Sequence, residues 1–124
     1  MNTRRKGSLA IGAAINHFTS KGMTVLLPIA DCDLYDLVID HDGVLEKIQC
    51  KYTDYKQPNG GYNIDLRTFG GYRKKTYHLR YKNGDFDFLF IYCGNGQKYL
   101  IPVEKVIDKS HIVVGSRSWN EYKC

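Results

Sequence analysis

Asp36, Gln49 and Lys51 are the residues of this 124-residue chain whose types and spacing are suited to chemistry. Gln49 and Lys51 stand two apart, so any strand that holds both presents them on one face. Asp36 opens the apolar run just before, and a hairpin between the two runs would bring all three side chains to one end of a twisted sheet. The Asp36 carboxylate and the Gln49 amide oxygen suit a hard divalent ion, and the Cys50 backbone carbonyl adds a third oxygen. A lysine beside them can orient or activate a water and stabilise charge on a phosphorus centre. Those are the requirements of phosphodiester cleavage. The same spacing also fits an ordinary half-exposed hairpin with solvated polar side chains, and spacing alone does not separate the two.

The elements that must position these residues are legible in outline. Tyr35 to Ile39 and Val44 to Tyr52 read as strands, joined through His41-Asp42-Gly43, whose Asp-Gly step favours a tight hairpin turn. Ile48, Cys50 and Tyr52 then face a core, and Lys47, Gln49 and Lys51 face away from it. Upstream, Leu9, Ala10, Ile11, Ala13, Ala14, Ile15 and Phe18 predict a helix from Ser8 to Ser20, stopped by Lys21-Gly22. Val25 to Pro28 is a short strand candidate. Downstream, Tyr62 to Leu66, Phe86 to Cys93, Lys98 to Ile101 and His111 to Val114 read as strands, with Pro102 opening a short helix to Ile107. The order of elements predicts one mixed α/β domain over residues 1–124.

Charge is divided along the chain. Eighteen Lys and Arg against thirteen Asp and Glu give a formal +5, too small a total to name a partner. The segment from Asp31 to Glu46 holds six acids and no Lys or Arg. The segment 66–84 holds six bases and no acid, with Phe69, Tyr72, Tyr77 and Tyr81 interleaved and with Gly70-Gly71 and Asn83-Gly84 suggesting a loop. A basic stretch of this kind can lie along a phosphate backbone, and it can also be a solvated loop with no ligand.

The cysteines at 32, 50, 93 and 124 lack zinc-site spacing. Arg4, Arg5 and Lys6 precede no long apolar run, so no secretory signal is read, and Ser8 to Phe18 is too short to cross a bilayer. The expectation is an intracellular protein with reduced thiols and no membrane partner. No dinucleotide or nucleotide-triphosphate loop is present.

Lys6-Gly7-Ser8-Leu9-Ala10, Lys21-Gly22, Val25 with Pro28, Tyr35-Asp36-Leu37-Val38-Ile39, Gly43 and Gln49-Cys50-Lys51 together resemble the PD-(D/E)XK nucleases. The resemblance is to the small homing endonucleases associated with group I introns, and it extends roughly over residues 4–110. It implies a restriction-endonuclease-like core, with a central mixed β-sheet flanked by helices. It further implies a bacterial or phage-encoded cytoplasmic enzyme that hydrolyses double-stranded DNA with Mg2+ or Mn2+. Asp36 would be the principal metal ligand, Gln49 would replace the second acid, and Lys51 would be the catalytic lysine. Many relatives carry a glutamate on the first helix where this chain has Ile11, and fewer anionic ligands weaken divalent binding. The chain would then be a slow enzyme, would recruit Asp33 or Asp65, or would be an inactivated DNA-binding variant.

DNA contacts are expected from Lys6, Arg67, Arg73, Lys74, Lys75, Tyr77, His78, Arg80 and Lys82, with arginine best suited to guanine in the major groove. One active site per chain and two strands to cut imply a homodimer or homotetramer. The rival readings are a non-catalytic DNA binder, an RNA-binding domain that stacks bases on its tyrosines, and a Holliday-junction resolvase-like nuclease.

Overall fold

The first helix, α1 (Thr3–Ser20), starts five residues earlier than the apolar pattern predicts, because Asn2 caps it: Asn2 Oδ1 accepts from the Arg5 N–H at 2.9 Å. It ends where Gly22 takes φ +85°, and the Lys21 and Met23 N–H groups both return to the Phe18 carbonyl. Ala10, Ala14 and Phe18, spaced four apart, form the buried stripe. In this computed structural model, which describes residues 1–30, 34–72 and 75–124, with 68–72 and 75–79 as backbone only, that stripe packs on a five-stranded sheet.

The sheet has the order β1 (Thr24–Leu26), β2 (Leu37–His41), β3 (Val44–Thr53), β7 (Phe88–Cys93), β8 (Lys98–Pro102). The remaining strands are β4 (Tyr62–Asp65), β5 (Arg67–Tyr72), β6 (Lys75–Arg80) and β9 (His111–Val114). β2 and β3 form the expected hairpin, with Asp42 and Gly43 at φ +53° and +87°, the left-handed pair that an Asp-Gly turn supplies. β3 then pairs in parallel with β7. The connection between them is long, as a parallel crossover requires, and consists of β4 and the β5–β6 hairpin. The sheet is mixed, flanked by α1, and the chain is an α/β fold of the expected class.

Pairing on both edges makes β3 a central strand, and this changes what its two faces meet. Ile48 and Cys50 join Leu37, Ile39, Phe90 and the α1 stripe in one core. The opposite face, expected to present polar groups to solvent, lies on the side of a second and larger core built from Tyr62, Ile64, Leu66, Tyr81, Leu89, Ile91, Tyr99 and Ile101. β7 alternates between the two, with Leu89 and Ile91 in one and Phe90 in the other. Phe18 is 1% exposed, and truncating such a side chain to alanine costs about 3–5 kcal/mol.

Two expectations are corrected. The basic segment is a two-stranded hairpin rather than a loop: β5 and β6 pair from Arg67–Arg80 to Tyr72–Lys75. Glycine and charge signal a loop because they lack packing, but a strand pair needs only matched backbone groups, and Gly70 and Gly71 sit opposite Tyr77 and Thr76. Pro102 closes β8 opposite Phe88 and caps the expected short helix, which is a 3-10 helix, Val103–Lys105, that stops before Ile107. The end of the chain is tied down by a Tyr99–Lys123 bridge and by the Cys124 N–H on the Lys98 carbonyl. Cys50, Cys93 and Cys124 are free thiols, and Cys32 lies outside the described residues. No described helix is long and apolar enough to cross a membrane.

Candidate active site

Asp36 precedes β2 by one residue, and its N–H still donates to the Ile48 carbonyl at 2.8 Å. Its Oδ2 accepts from the Cys50 N–H, also at 2.8 Å. The carboxylate is therefore fastened to the strand that carries Gln49 and Lys51. N–H and C=O of one strand residue point to the same side, so the Cys50 carbonyl is directed to this edge as well. Burial raises the Asp36 carboxyl pKa, while the Cys50 N–H and the Lys51 charge pull it back down.

The Gln49 amide reaches the same point. Seated with its nitrogen inward, it donates to Asp36 Oδ2 at 3.2 Å and to the Leu34 carbonyl at 2.9 Å. Seated with its oxygen inward, three acceptor oxygens face one another with no hydrogen between them, and the nitrogen donates to the Tyr81 hydroxyl at 3.4 Å. The nitrogen-inward seating is the one the surrounding acceptors satisfy, and a cation held between the oxygens would satisfy the other. The donors are carboxylate, amide and carbonyl oxygens, a set that fits a hard divalent ion with few anionic ligands. Among the described residues no group of three or more His, Cys, Asp or Glu side chains converges.

Lys51 is half-buried, with Nζ 5.7 Å from the centre of the Tyr81 ring. Burial lowers its pKa, and the Asp65 and Asp36 carboxylates oppose the shift. Tyr81 is 1% exposed, and burial raises its hydroxyl pKa. Ile11 and Asp36 line the same cleft of about 250 Å3, together with Pro28, Ile29, Ala30 and Tyr35. The position where a glutamate is expected thus lines the same cleft as Asp36, with an apolar side chain there.

The other acids are differently placed. Asp65 is engaged by Arg67, whose N–H, Nε and Nη2 donate to it at 2.9, 3.1 and 3.1 Å, and that contact holds its carboxyl below the usual range. Asp33 lies outside the described residues. Of the expected DNA contacts, Lys6 is paired with Asp54 at 3.2 Å, Arg67 with Asp65, and Arg80 donates from Nη1 to the Asp108 carbonyl at 3.1 Å. Lys82 is exposed. Lys75, Tyr77 and His78 lie on β6 among residues 75–79, whose side chains are outside the described set, and Arg73 and Lys74 lie outside the described residues altogether. The reading from sequence missed the Leu34 carbonyl, which has no side-chain signature, and counted Tyr81 among the aromatics of the basic segment, although it is a core residue beside the site.

Residues 1–120 match the PD-(D/E)XK endonuclease family. Protein 5.3 of Escherichia phage T7 is 32% identical over 101 residues, which span 82% of this chain and 80% of that one. The solved structure of a bacterial homing endonuclease superposes with a TM-score of 0.86 at 30% identity, covering 99% of this chain and 89% of that one.

Proposed function

The chain belongs to the PD-(D/E)XK endonuclease family, and on that premise we propose that it is a site-specific DNA endonuclease of the homing type, which hydrolyses phosphodiesters of double-stranded DNA with Mg2+ or Mn2+. The observation that carries this reading is the convergence of the Asp36 carboxylate, the Gln49 amide and the Leu34 carbonyl, with Lys51 on the Gln49 face of the same strand. Asp36, the Gln49 oxygen and the Leu34 and Cys50 carbonyls would hold the ion. When bound, it supplies Lewis-acid polarisation of a phosphoryl oxygen.

The chain's own residues do the rest. The Cys50 N–H keeps the Asp36 carboxylate in one rotamer, so the ligand needs no reordering during reaction. The Lys51 ammonium, shielded on one side by the Tyr81 ring, orients the attacking water and stabilises negative charge developing on the phosphate. The basic segment 66–84, which includes β5, β6 and Lys82, would meet the DNA backbone. A chain with one such site cuts both strands as a homodimer or homotetramer.

A second reading has its own support. Ile11 stands in the Asp36 cleft, where it removes an anionic ligand, and this favours a weakened enzyme or a binder that holds DNA without cutting it. One experiment separates the possibilities. The protein is incubated with a random-sequence duplex library and Mg2+, and the new ends are sequenced. A single long cleaved site supports the homing nuclease. Binding without ends, even at high metal, supports the binder, and cutting that follows branched structure rather than sequence identifies a resolvase.

A further inference from the structure

Tyr81 is the buried group nearest the site that the mechanism leaves without a polar role. Its ring is fixed edge-on to Phe86, centroids 4.9 Å apart, and its backbone carbonyl accepts from the Asp108 N–H. Its hydroxyl is aimed at the Gln49 amide. We propose that the Tyr81 hydroxyl is the positioning group that lets this amide turn over, nitrogen inward in the cation-free protein and oxygen inward when a divalent ion is held. The proposal rests on the nuclease reading above.

Leu34 and Asp36 offer the amide acceptors only. A hydroxyl both donates and accepts, so Tyr81 serves the outer end of the amide either way. With nitrogen inward, Gln49 bonds Asp36 and Leu34, and its outer oxygen accepts from the tyrosine. With oxygen inward, the outer nitrogen donates to the tyrosine at 3.4 Å. Removing the hydroxyl harms the two states unequally. The inward-nitrogen state keeps both of its donated bonds and loses one on a carbonyl, whereas the inward-oxygen state is left with a half-buried amide N–H that has lost its protein partner, the costlier orphan. Tyr81→Phe therefore biases Gln49 towards the orientation that cannot bind metal.

The test uses the full chain and Mg2+ alone, titrated while the side-chain amide resonances of Gln49 are followed by NMR. In the wild type these resonances shift as Mg2+ binds, because the nitrogen exchanges two acceptors for one. Tyr81→Phe, folded by thermal melting, is expected to bind Mg2+ about three- to tenfold more weakly, the value of one neutral hydrogen bond. In the Gln49→Glu background the same substitution should change affinity less than about twofold, since a carboxylate presents oxygen at both ends and meets the tyrosine identically in both states. Equal affinity of wild type and Tyr81→Phe, or Gln49 resonances that stay fixed at saturating Mg2+, overturns the proposal and leaves the nuclease reading intact. Absence of both Mg2+ binding and cutting in the wild type overturns the nuclease reading, and this inference with it.

Discussion

Asp36 Oδ2 accepts a 2.8 Å hydrogen bond from the Cys50 N–H, so a carboxylate that lines the cleft is also a fastener between the start of β2 and the middle of β3. Structural and chemical roles can be parted by substitution. Asp36→Asn keeps an acceptor oxygen for Cys50 and removes the charge; it should melt within a few degrees of the wild type and lose metal-dependent cleavage. Asp36→Ala strands the Cys50 N–H and should cost about 1 kcal/mol or more of stability besides. Thermal melts beside cleavage assays check the contrast, and equal melting of both variants would deny the fastening role.

Ile11 and Asp36 share one cleft, so Ile11→Glu should restore an anionic ligand. The concentration of Mg2+ giving half-maximal cleavage is expected to fall by about tenfold, because affinity for hard cations follows ligand charge. No gain at any Mg2+ concentration would show that position 11 does not reach the metal.

Neutralising Arg73, Lys74 and Lys75 of the basic segment together should weaken DNA binding at every sequence. The slope of log K against log salt should flatten by up to about 3, near one unit for each phosphate that no longer meets a cation. An unchanged slope removes this segment from the interface.

His17 is buried on α1 against the Phe18 and Phe90 rings, and burial, with the Lys98 and Lys21 charges, lowers its pKa from the ordinary 6.5. The folded chain thus binds this proton less readily than the unfolded chain. Stability should be retained above the ordinary imidazole range and decline as pH falls through and below it. Melting temperatures between pH 8 and 5 for the wild type and His17→Leu would reveal this, since the variant should lose that component of the decline; identical pH profiles would contradict it.

The hairpin that carries Asp36, Gln49 and Lys51 was legible because its signals are local: alternating residues and an Asp-Gly turn specify both strands and the register between them. The parallel partner of β3 was not, because Gln49 meets Leu89 only after a 40-residue excursion that leaves no periodic trace. That missing neighbour is why Lys51 read as a surface residue when it is half-buried. Tyr81 was hidden for a related reason. Set between Arg80 and Lys82, it has the composition of an exposed basic arm, and only the fold turns its ring into the core. The Leu34 carbonyl belongs to the backbone, which every residue shares, so no sequence pattern could single it out.

The central claim is that one constellation of residues hydrolyses DNA, and the most direct measurement compares wild type, Asp36→Asn and Lys51→Ala on a duplex carrying the selected target, with and without Mg2+. The account predicts cleavage by the wild type only with the metal, and a loss on the order of a hundredfold or more in each variant while DNA binding persists. Cleavage by Asp36→Asn and Lys51→Ala at the wild-type rate would contradict it.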